Sequence, residues 1–259
     1  NRATPLIVDE WNFDSGFNVL AERGERSHIA ASYIPSRLKR MAEAGLDYAV
    51  YYSLEDFKAN ADGVVQNVGV FTFDPRLGPY QGAPKATYNV FRMLHMLFPA
   101  KVVFPTKNQD EFLQYVVTKK GGESAILIAN YVDPDMAGNF LSRSIATLAD
   151  GSRRILVNLI RSRKVTQIMS GELSIGQVRP LSRSVRRLLT KAVILHQQAK
   201  RFLQEERLVT ITIRNVHDTL RMKRYVVDDS CAAGCNFVPV EEEDVPAQPI
   251  YQKKILVKP

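Results

Sequence analysis

Short strands alternate with amphipathic helices over residues 4–98, and this alternation constrains the fold more than any other feature of the sequence. The pattern predicts, in order, a buried strand, a helix, a strand, a long loop and a helix: Pro5–Asp9, Ser27–Ala44, Asp47–Ser53, residues 54–86 and Ala86–Phe98. Strands that alternate with helices are typical of a parallel α/β sheet. The first strand is short and apolar, as strands buried on both faces of such a sheet are.

The pattern changes after Pro99 to short strands separated by turn residues. Six such strands are predicted, at Lys101–Phe104, Phe112–Thr118, Ala125–Tyr131, Val209–Asn215, Met222–Asp228 and Ile255–Lys258. Short β-branched strands of this kind are typical of an antiparallel β-sandwich. Residues 141–207 interrupt the strands with a long helical stretch at Arg183–Glu206.

The net charge of the chain comes from one segment. The 259 residues include 35 Lys and Arg and 27 Asp and Glu, a formal net charge of +8. Residues 141–207 hold 14 of those basic residues and 4 of the acidic ones, so the remainder is slightly acidic. A hydrophobic content of 45% excludes intrinsic disorder. No run of eighteen uncharged apolar residues occurs, and no membrane-spanning helix is predicted.

The basic helical stretch leaves three interpretations open. Its apolar stripe would pack on the predicted sandwich and leave the arginines in water, which is the common arrangement of an amphipathic helix. Alternatively, the positive surface would contact an anionic polysaccharide or a lipid surface. The third interpretation is binding to nucleic acid, and it rests on charge alone.

The residues that indicate chemistry are Asp9-Glu10-Trp11-Asn12, at the carboxyl end of the first predicted strand. In parallel α/β barrels the active site lies at that end of the strands. A retaining glycosidase needs two carboxyl groups about 5 to 5.5 Å apart, one as nucleophile and one as acid and base. Glu10 beside an aromatic residue and an amide suits such a carboxylate.

Two further motifs strengthen this interpretation. The next strand ends in Tyr51-Tyr52-Ser53-Leu54-Glu55-Asp56, and the helix after the long loop begins Gly82-Ala83-Pro84-Lys85-Ala86-Thr87-Tyr88-Asn89-Val90-Phe91. Together with Glu10 and Asn12, these segments resemble the last two βα units of clan A glycoside hydrolases. The resemblance is greatest to family 39, which includes β-xylosidases and α-L-iduronidases. It covers about residues 4–140 and 208–240, since Val209–Asn215 and Arg224–Asp229 look like strands of the sandwich that follows the barrel in that family.

The resemblance implies a role for each motif residue. Glu10 would be the catalytic nucleophile of a retaining, β-xylosidase-like O-glycoside hydrolase that acts on an oligo- or polysaccharide. Trp11, Asn12, Tyr52 and Asp56 would bind substrate. Tyr52 replaces the Trp that forms the floor of the family's sugar subsite, and Asp56 would accept hydrogen bonds from sugar hydroxyls or orient its loop. No cofactor and no metal are implied, and an extracellular or periplasmic location would fit.

Two departures from the family limit what is implied. The positions of an acidic pair that helps hold the sugar are Ala59 and Asn60 here. The family's acid/base Glu follows an Asn, and the sequence contains no Asn-Glu dipeptide. A complete (β/α)8 barrel also needs about 250 residues. We therefore expect that the acid/base and the remaining barrel lie upstream, outside this chain.

The expected organisation follows from these points. Residues 1–98 would be the carboxyl-terminal part of a TIM barrel, residues 99–140 and 208–259 an antiparallel β-sandwich, and residues 141–207 a basic helical insertion. The alternative function is a non-catalytic carbohydrate-binding or assembly module derived from a glycosidase.

No metal site is predicted. Cys231 and Cys235 have no His nearby to complete a zinc site. Asp133–Asp135 and Glu241–Asp244 could attract calcium, but they lack the alternating ligand pattern of a calcium loop, and a solvated surface is the better interpretation.

Overall fold

The chain divides into two units. The structure is a computed structural model that describes residues 4–13, 27–58, 65–66, 68–73, 82–102, 112–179, 181–230, 234 and 236–259. The first unit combines Asn1–Phe13, Glu25–Tyr131 and Glu206–Pro259, and the second includes Val132–Glu205. The predicted helical insertion, residues 141–207, lies almost entirely within this second segment.

The first unit begins with the predicted order of strand, helix, strand and helix. These elements are β1 (Ile7–Trp11), α1 (Ser27–Glu43), β2 (Tyr48–Tyr51) and, later in the chain, α2 (Ala86–His95). Strands β1 and β2 pair in parallel, as the alternating pattern predicts. Val8 lies opposite Ala49 and Trp11 opposite Tyr51, so that two residues of β1 oppose one residue of β2. This irregularity is a β-bulge at Asp9 and Glu10.

One face of the parallel pair carries the core of the first unit. Helices α1 and α2 pack on this face through a cluster whose buried members are Trp11, Ala31, Ile34, Ala86 and Val90. On the opposite face, Ile7 is 52% exposed, Tyr48 65% and Val50 54%. Among the described residues the first strand is therefore covered on one face only, and its predicted burial on both faces is not seen there. The reason is that both helices cover the same face, and no described element covers the other.

The remaining strands of the first unit are antiparallel. In chain order they are β3 (Phe57–Lys58), β4 (Val65–Gln66), β5 (Ala100–Val102), β6 (Leu113–Lys120), β7 (Glu123–Asn130), β8 (Arg207–Val216), β9 (Leu220–Arg224), β10 (Glu241–Val245) and β11 (Gln248–Val257). They form the sheets β3–β4, β5–β6–β7, β8–β11 and β9–β10. Because the described strands form separate sheets of two or three strands, the barrel and the sandwich stay predictions.

Strands β5, β6, β7, β8, β9 and β11 overlap the six positions predicted after Pro99, with shifted ends. The prediction of a strand at Met222–Asp228 is wrong in its second half, because β9 ends at Arg224, and for the same reason Arg224–Asp229 is not a strand. Strand β10 was not predicted, because Glu241–Asp244 has low intrinsic preference for a strand. The predicted long loop contains the short pair β3–β4.

The second unit is helical. Its helices are α3 (Met136–Ile145), α4 (Asp150–Arg161), α5 (Lys164–Ser170) and α6 (Arg183–Phe202), with a 3-10 turn at Ile175–Gln177. All four helices contribute to one apolar core, in which Leu141, Leu156, Val165, Val185 and Leu189 are at most 1% exposed. The interpretation that the apolar stripe of α6 packs on the antiparallel strands is therefore wrong. The stripe packs on α3, α4 and α5 of its own unit, and no helix in the described part of the chain is long and apolar enough to span a membrane.

We expect two substitutions on α6 to lower the free energy of unfolding by different amounts, because only one of the two side chains lies in the core of the second unit. Leu189 is fully buried, so Leu189→Ala should lower the free energy of unfolding by about 2–5 kcal/mol. Ile194 is 44% exposed, and Ile194→Ala should change it by less than about 1 kcal/mol. Urea unfolding followed by far-ultraviolet circular dichroism measures both. Equal losses for the two variants would contradict this packing of α6.

Candidate active site

The bulge places two carboxylates at the carboxyl end of the parallel pair. The side chains of Val8 and Trp11 belong to the core cluster beneath the sheet. Asp9 and Glu10, which lie between them in the bulge, are exposed. Bulges often redirect a side chain beside an active site. Glu10 is therefore open to solvent at the edge where ligands bind in parallel α/β sheets.

The two aromatic residues predicted to bind substrate lie in different environments. Trp11 is 8% exposed and meets Tyr51 edge-on, with ring centroids 5.0 Å apart. Its indole is thus part of the core and does not form an open subsite. Tyr52 is 40% exposed, and its backbone N–H donates to the carbonyl of Trp11 over 2.9 Å. Of these two aromatic residues, Tyr52 is the one whose ring remains accessible.

Asn12 joins the segments around Glu10. Its amide nitrogen donates to the carbonyl oxygens of Tyr52 and, over 2.7 Å, of Val68. Its amide oxygen accepts the hydroxyl of Tyr51 over 3.0 Å and the backbone N–H of Phe13. Burial raises the pKa of Tyr51 well above its usual value, so its hydroxyl remains a donor. The predicted substrate-binding residue Asn12 thus holds the end of β1 to the end of β2 and to the loop beyond.

Asp56 is buried in an ion pair. It is 6% exposed, and the ammonium group of Lys85 lies 2.9 and 3.2 Å from its two carboxylate oxygens. The backbone N–H of Gly69 also donates to Asp56, over 2.7 Å. Burial lowers the pKa of Lys85, and the hydrogen bond and charge of Asp56 oppose that change. Asp56 was expected either to bind sugar hydroxyls or to orient its loop. Its contacts with Lys85 and Gly69 fit the second role.

Two glycines allow the loop to pass close to other backbone. A Cβ atom on Gly69 would lie 2.1 Å from the carbonyl carbon of Glu55, and one on Gly82 would lie 1.4 Å from the carbonyl oxygen of Thr72. Gly82 belongs to the motif that precedes α2, whereas Gly69 carried no signal in the sequence. Both positions exclude any side chain, so both are needed for this loop conformation.

The acidic run Glu241–Asp244 forms β10 and is matched by basic side chains. Lys253 donates to Glu241 and Glu243, and Arg221 lies 3.0 Å from Glu242. Hydrogen bonds from Lys253 and Tyr251 lower the pKa of Glu243. Because basic groups of the chain already neutralise these carboxylates, the run does not have the character of a calcium site. No group of three potential metal ligands occurs among the described residues.

The other predicted positions have structural partners or lie outside the described residues. Asp135 accepts the backbone N–H of Gly138 at the start of α3, and Asp133 accepts the side-chain amide of Asn139. The remaining four, Ala59, Asn60, Cys231 and Cys235, lie outside the described residues.

A pocket of about 500 Å³ in the first unit was not predicted from the sequence. It is lined by Tyr88, Phe91, Arg92, His95, Met96, Tyr225 and Phe237. Tyr225 and Phe237 stack with ring centroids 4.9 Å apart, and the Arg92 guanidinium lies 4.4 Å from the centre of the Phe237 ring. The described residues that line it include no carboxylate, the group that glycoside hydrolysis requires.

We expect the isosteric substitution of Asp56 by Asn to lower the stability of the protein strongly, because it breaks the buried ion pair. Asp56→Asn would leave the Lys85 charge without a counterion, and we expect the free energy of unfolding to fall by about 3–5 kcal/mol. The double variant Asp56→Asn/Lys85→Met should recover much of this loss, because no isolated charge remains buried. Chemical denaturation of the parent and the variants measures the difference.

The exposed pair between Lys39 and Glu43 provides the control. Lys39→Gln should change the free energy of unfolding by less than about 1 kcal/mol. An Asp56→Asn variant as stable as the parent would show that the Asp56–Lys85 pair does not hold the loop.

Comparison with known proteins found no relative of this chain. No protein-family model matches the chain. Searches of curated proteins and of solved structures also returned no match. The function of the site must therefore be inferred from its own residues and their geometry.

Proposed function

We propose that this chain contributes the nucleophile of a retaining, β-xylosidase-like O-glycoside hydrolase, and that Glu10 is that nucleophile. The substrate would be an oligo- or polysaccharide. The observation that carries the proposal is the position of Glu10, exposed in a bulge at the carboxyl end of a parallel strand, next to a network centred on Asn12.

The proposed reaction has two steps. A carboxylate oxygen of Glu10 attacks the anomeric carbon, the bond from that carbon to the glycosidic oxygen breaks, and the leaving oxygen takes the electron pair and a proton from a second carboxylic acid. Water then attacks the anomeric carbon, gives its proton to the same second group and releases Glu10. We assign the second group to the acid/base Glu that the resembled family carries after an Asn, outside this chain.

The neighbouring residues have distinct proposed roles. Tyr52 offers its exposed ring to the face of a sugar and its hydroxyl to a hydrogen bond. Asn12 and the Asp56–Lys85 pair position the segments that carry Glu10 and Tyr52. Trp11 supports the bulge from the core. None of these roles requires a cofactor.

We also propose that β1 and β2 belong to the last two βα units of a (β/α)8 barrel. The exposed apolar side chains of Ile7, Tyr48 and Val50 support this proposal, because the interior of such a barrel is filled by side chains of this kind. The antiparallel strands would belong to the appended sandwich.

The second candidate is a non-catalytic carbohydrate-binding or assembly module. The observation in its favour is that no Asn-Glu dipeptide occurs in the sequence, while Tyr52 still offers a face for a sugar ring. Such a module would bind sugars without turnover.

The proposal is tested with a substrate that needs no acid catalyst. Dinitrophenolate leaves without protonation, so 2,4-dinitrophenyl 2-deoxy-2-fluoro-β-xyloside should transfer its sugar to Glu10 of the 259-residue chain. We expect peptide mass spectrometry to find the added sugar on Glu10. The rate of dinitrophenolate release from the parent dinitrophenyl xyloside in the first turnover, which needs no acid/base group, should fall by a factor on the order of 10³ or more in Glu10→Gln.

Asp9→Asn is the matched control, because Asp9 is the other exposed carboxylate of the bulge. We expect this variant to keep its rate within about tenfold of the parent. Labelling of a residue other than Glu10, or a parental rate in Glu10→Gln, would refute the nucleophile assignment. If neither labelling nor turnover occurs, but xylo-oligosaccharide binding is measured and is lost in Tyr52→Ala, the binding module replaces the enzyme.

A further inference from the structure

We propose that the exposed face of α6 binds a linear acidic polysaccharide. This surface belongs to the second unit and contains none of the candidate active-site residues, so the inference goes beyond the proposed hydrolase function. It is defined here as the α6 basic face, which consists of Arg183, Arg186, Arg187 and Lys191.

The α6 basic face lies opposite the buried stripe of the same helix. Val185, Leu189 and Ala192 are fully buried, whereas all four basic side chains are exposed. Arg183, Arg187 and Lys191 follow one another at intervals of four residues, which places successive cations on one side of the helix, about 6 Å apart along its axis. The face is therefore a straight row of positive charge, with Arg186 beside it.

No carboxylate of the described residues neutralises this row. The four side chains form no ion pair in the part of the chain that the structure describes, and Val132–Glu205 contains 13 basic and 5 acidic residues. Like charges four residues apart on a helix repel one another. In the first unit, by contrast, the acidic strand β10 is matched by Arg221, Lys223, Arg224 and Lys253. A polyanion would supply the counter-charges that the row lacks among the described residues.

Two classes of polyanion fit the described surface poorly. A peripheral membrane helix needs apolar side chains to enter the lipid, and Ile194 is the one large exposed hydrophobic residue among those described in Val132–Glu205. Single-stranded nucleic acid is held largely by stacking on aromatic rings. The aromatic residues of this segment, Phe140 and Phe202, are both partly buried.

Duplex nucleic acid fits less well than a single linear chain. A recognition helix enters the major groove with its first residues against the base edges. Here the hydroxyl of Ser152 in the first turn of α4 lies 2.8 Å from that of Ser182 and 3.1 Å from that of Ser184. The start of α6 is thus held against α4 and does not project. An acidic polysaccharide has its charged groups along one chain, and it can follow the row on α6.

The test measures binding of the 259-residue chain to alginate at 50 and 300 mM NaCl, by isothermal titration calorimetry. The test variant combines Arg183→Gln, Arg187→Gln and Lys191→Gln, because glutamine preserves helix propensity. The matched control combines Lys119→Gln, Lys120→Gln and Lys254→Gln, which removes the same charge from exposed positions of the first unit. Circular dichroism checks that both variants keep the parental helix content.

We expect the parent to bind alginate at 50 mM NaCl and to bind at least tenfold more weakly at 300 mM, since the contacts are ionic. At 50 mM the test variant should bind roughly tenfold more weakly than the parent, and the control should stay within about twofold. Absence of binding at 50 mM, or equal losses in both variants, would overturn the proposal. A 20-base-pair DNA duplex or anionic vesicles that bind more tightly than alginate, with loss in the test variant, would overturn the choice of polysaccharide. The readout is binding alone, so failure here leaves the assignment of Glu10 unaffected.

Discussion

The loop that follows β2 depends on the buried ion pair between Asp56 and Lys85. Removing two charges from water is costly, and an ion pair offsets that cost only when hydrogen bonds satisfy its groups. Asp56 meets this condition through Lys85 and the backbone N–H of Gly69. Because Lys85 immediately precedes α2, the pair links the loop to the helix that packs beneath the parallel strands. Residues in three distant parts of the sequence are thereby held in one arrangement.

Asn12 connects this arrangement to the strand that carries Glu10. It reaches the backbone at Tyr52 and at Val68, one residue before the glycine that donates to Asp56. The exposed residues Glu10 and Tyr52 therefore belong to segments that are held in place by the hydrogen bonds of Asn12 and Asp56. If Glu10 is the nucleophile, as proposed, it would gain from such support, because its orientation would be set before substrate arrives. The described part of the second unit is stabilised differently, by an apolar core to which all four of its helices contribute. Most of its charged side chains are exposed to solvent.

The sequence was sufficient for the features that depend on local periodicity. It predicted α1, α2 and the parallel pairing of β1 with β2, because helix and strand periods are visible in the chain. It did not predict β10, because the basic residues that stabilise those glutamates come from β9 and β11. The stripe on α6 indicated burial but not the partner, since amphipathicity does not specify what covers a helix. The burial of Trp11 was also not predicted. It occurs next to the β-bulge at Asp9 and Glu10, and no residue type in the sequence indicated that bulge.

The bonding of Asn12 has a consequence for the ageing of the protein. An amide offers two donor hydrogens and an accepting oxygen, and Asn12 uses both kinds of group, toward two carbonyl oxygens on one side and toward Tyr51 and Phe13 on the other. Spontaneous deamidation would replace the donor by a negatively charged oxygen facing those two carbonyls. A single atom exchanged in this way would turn attraction into repulsion at the junction beneath Glu10. The contacts at this edge of the sheet therefore depend on one amide group remaining chemically intact.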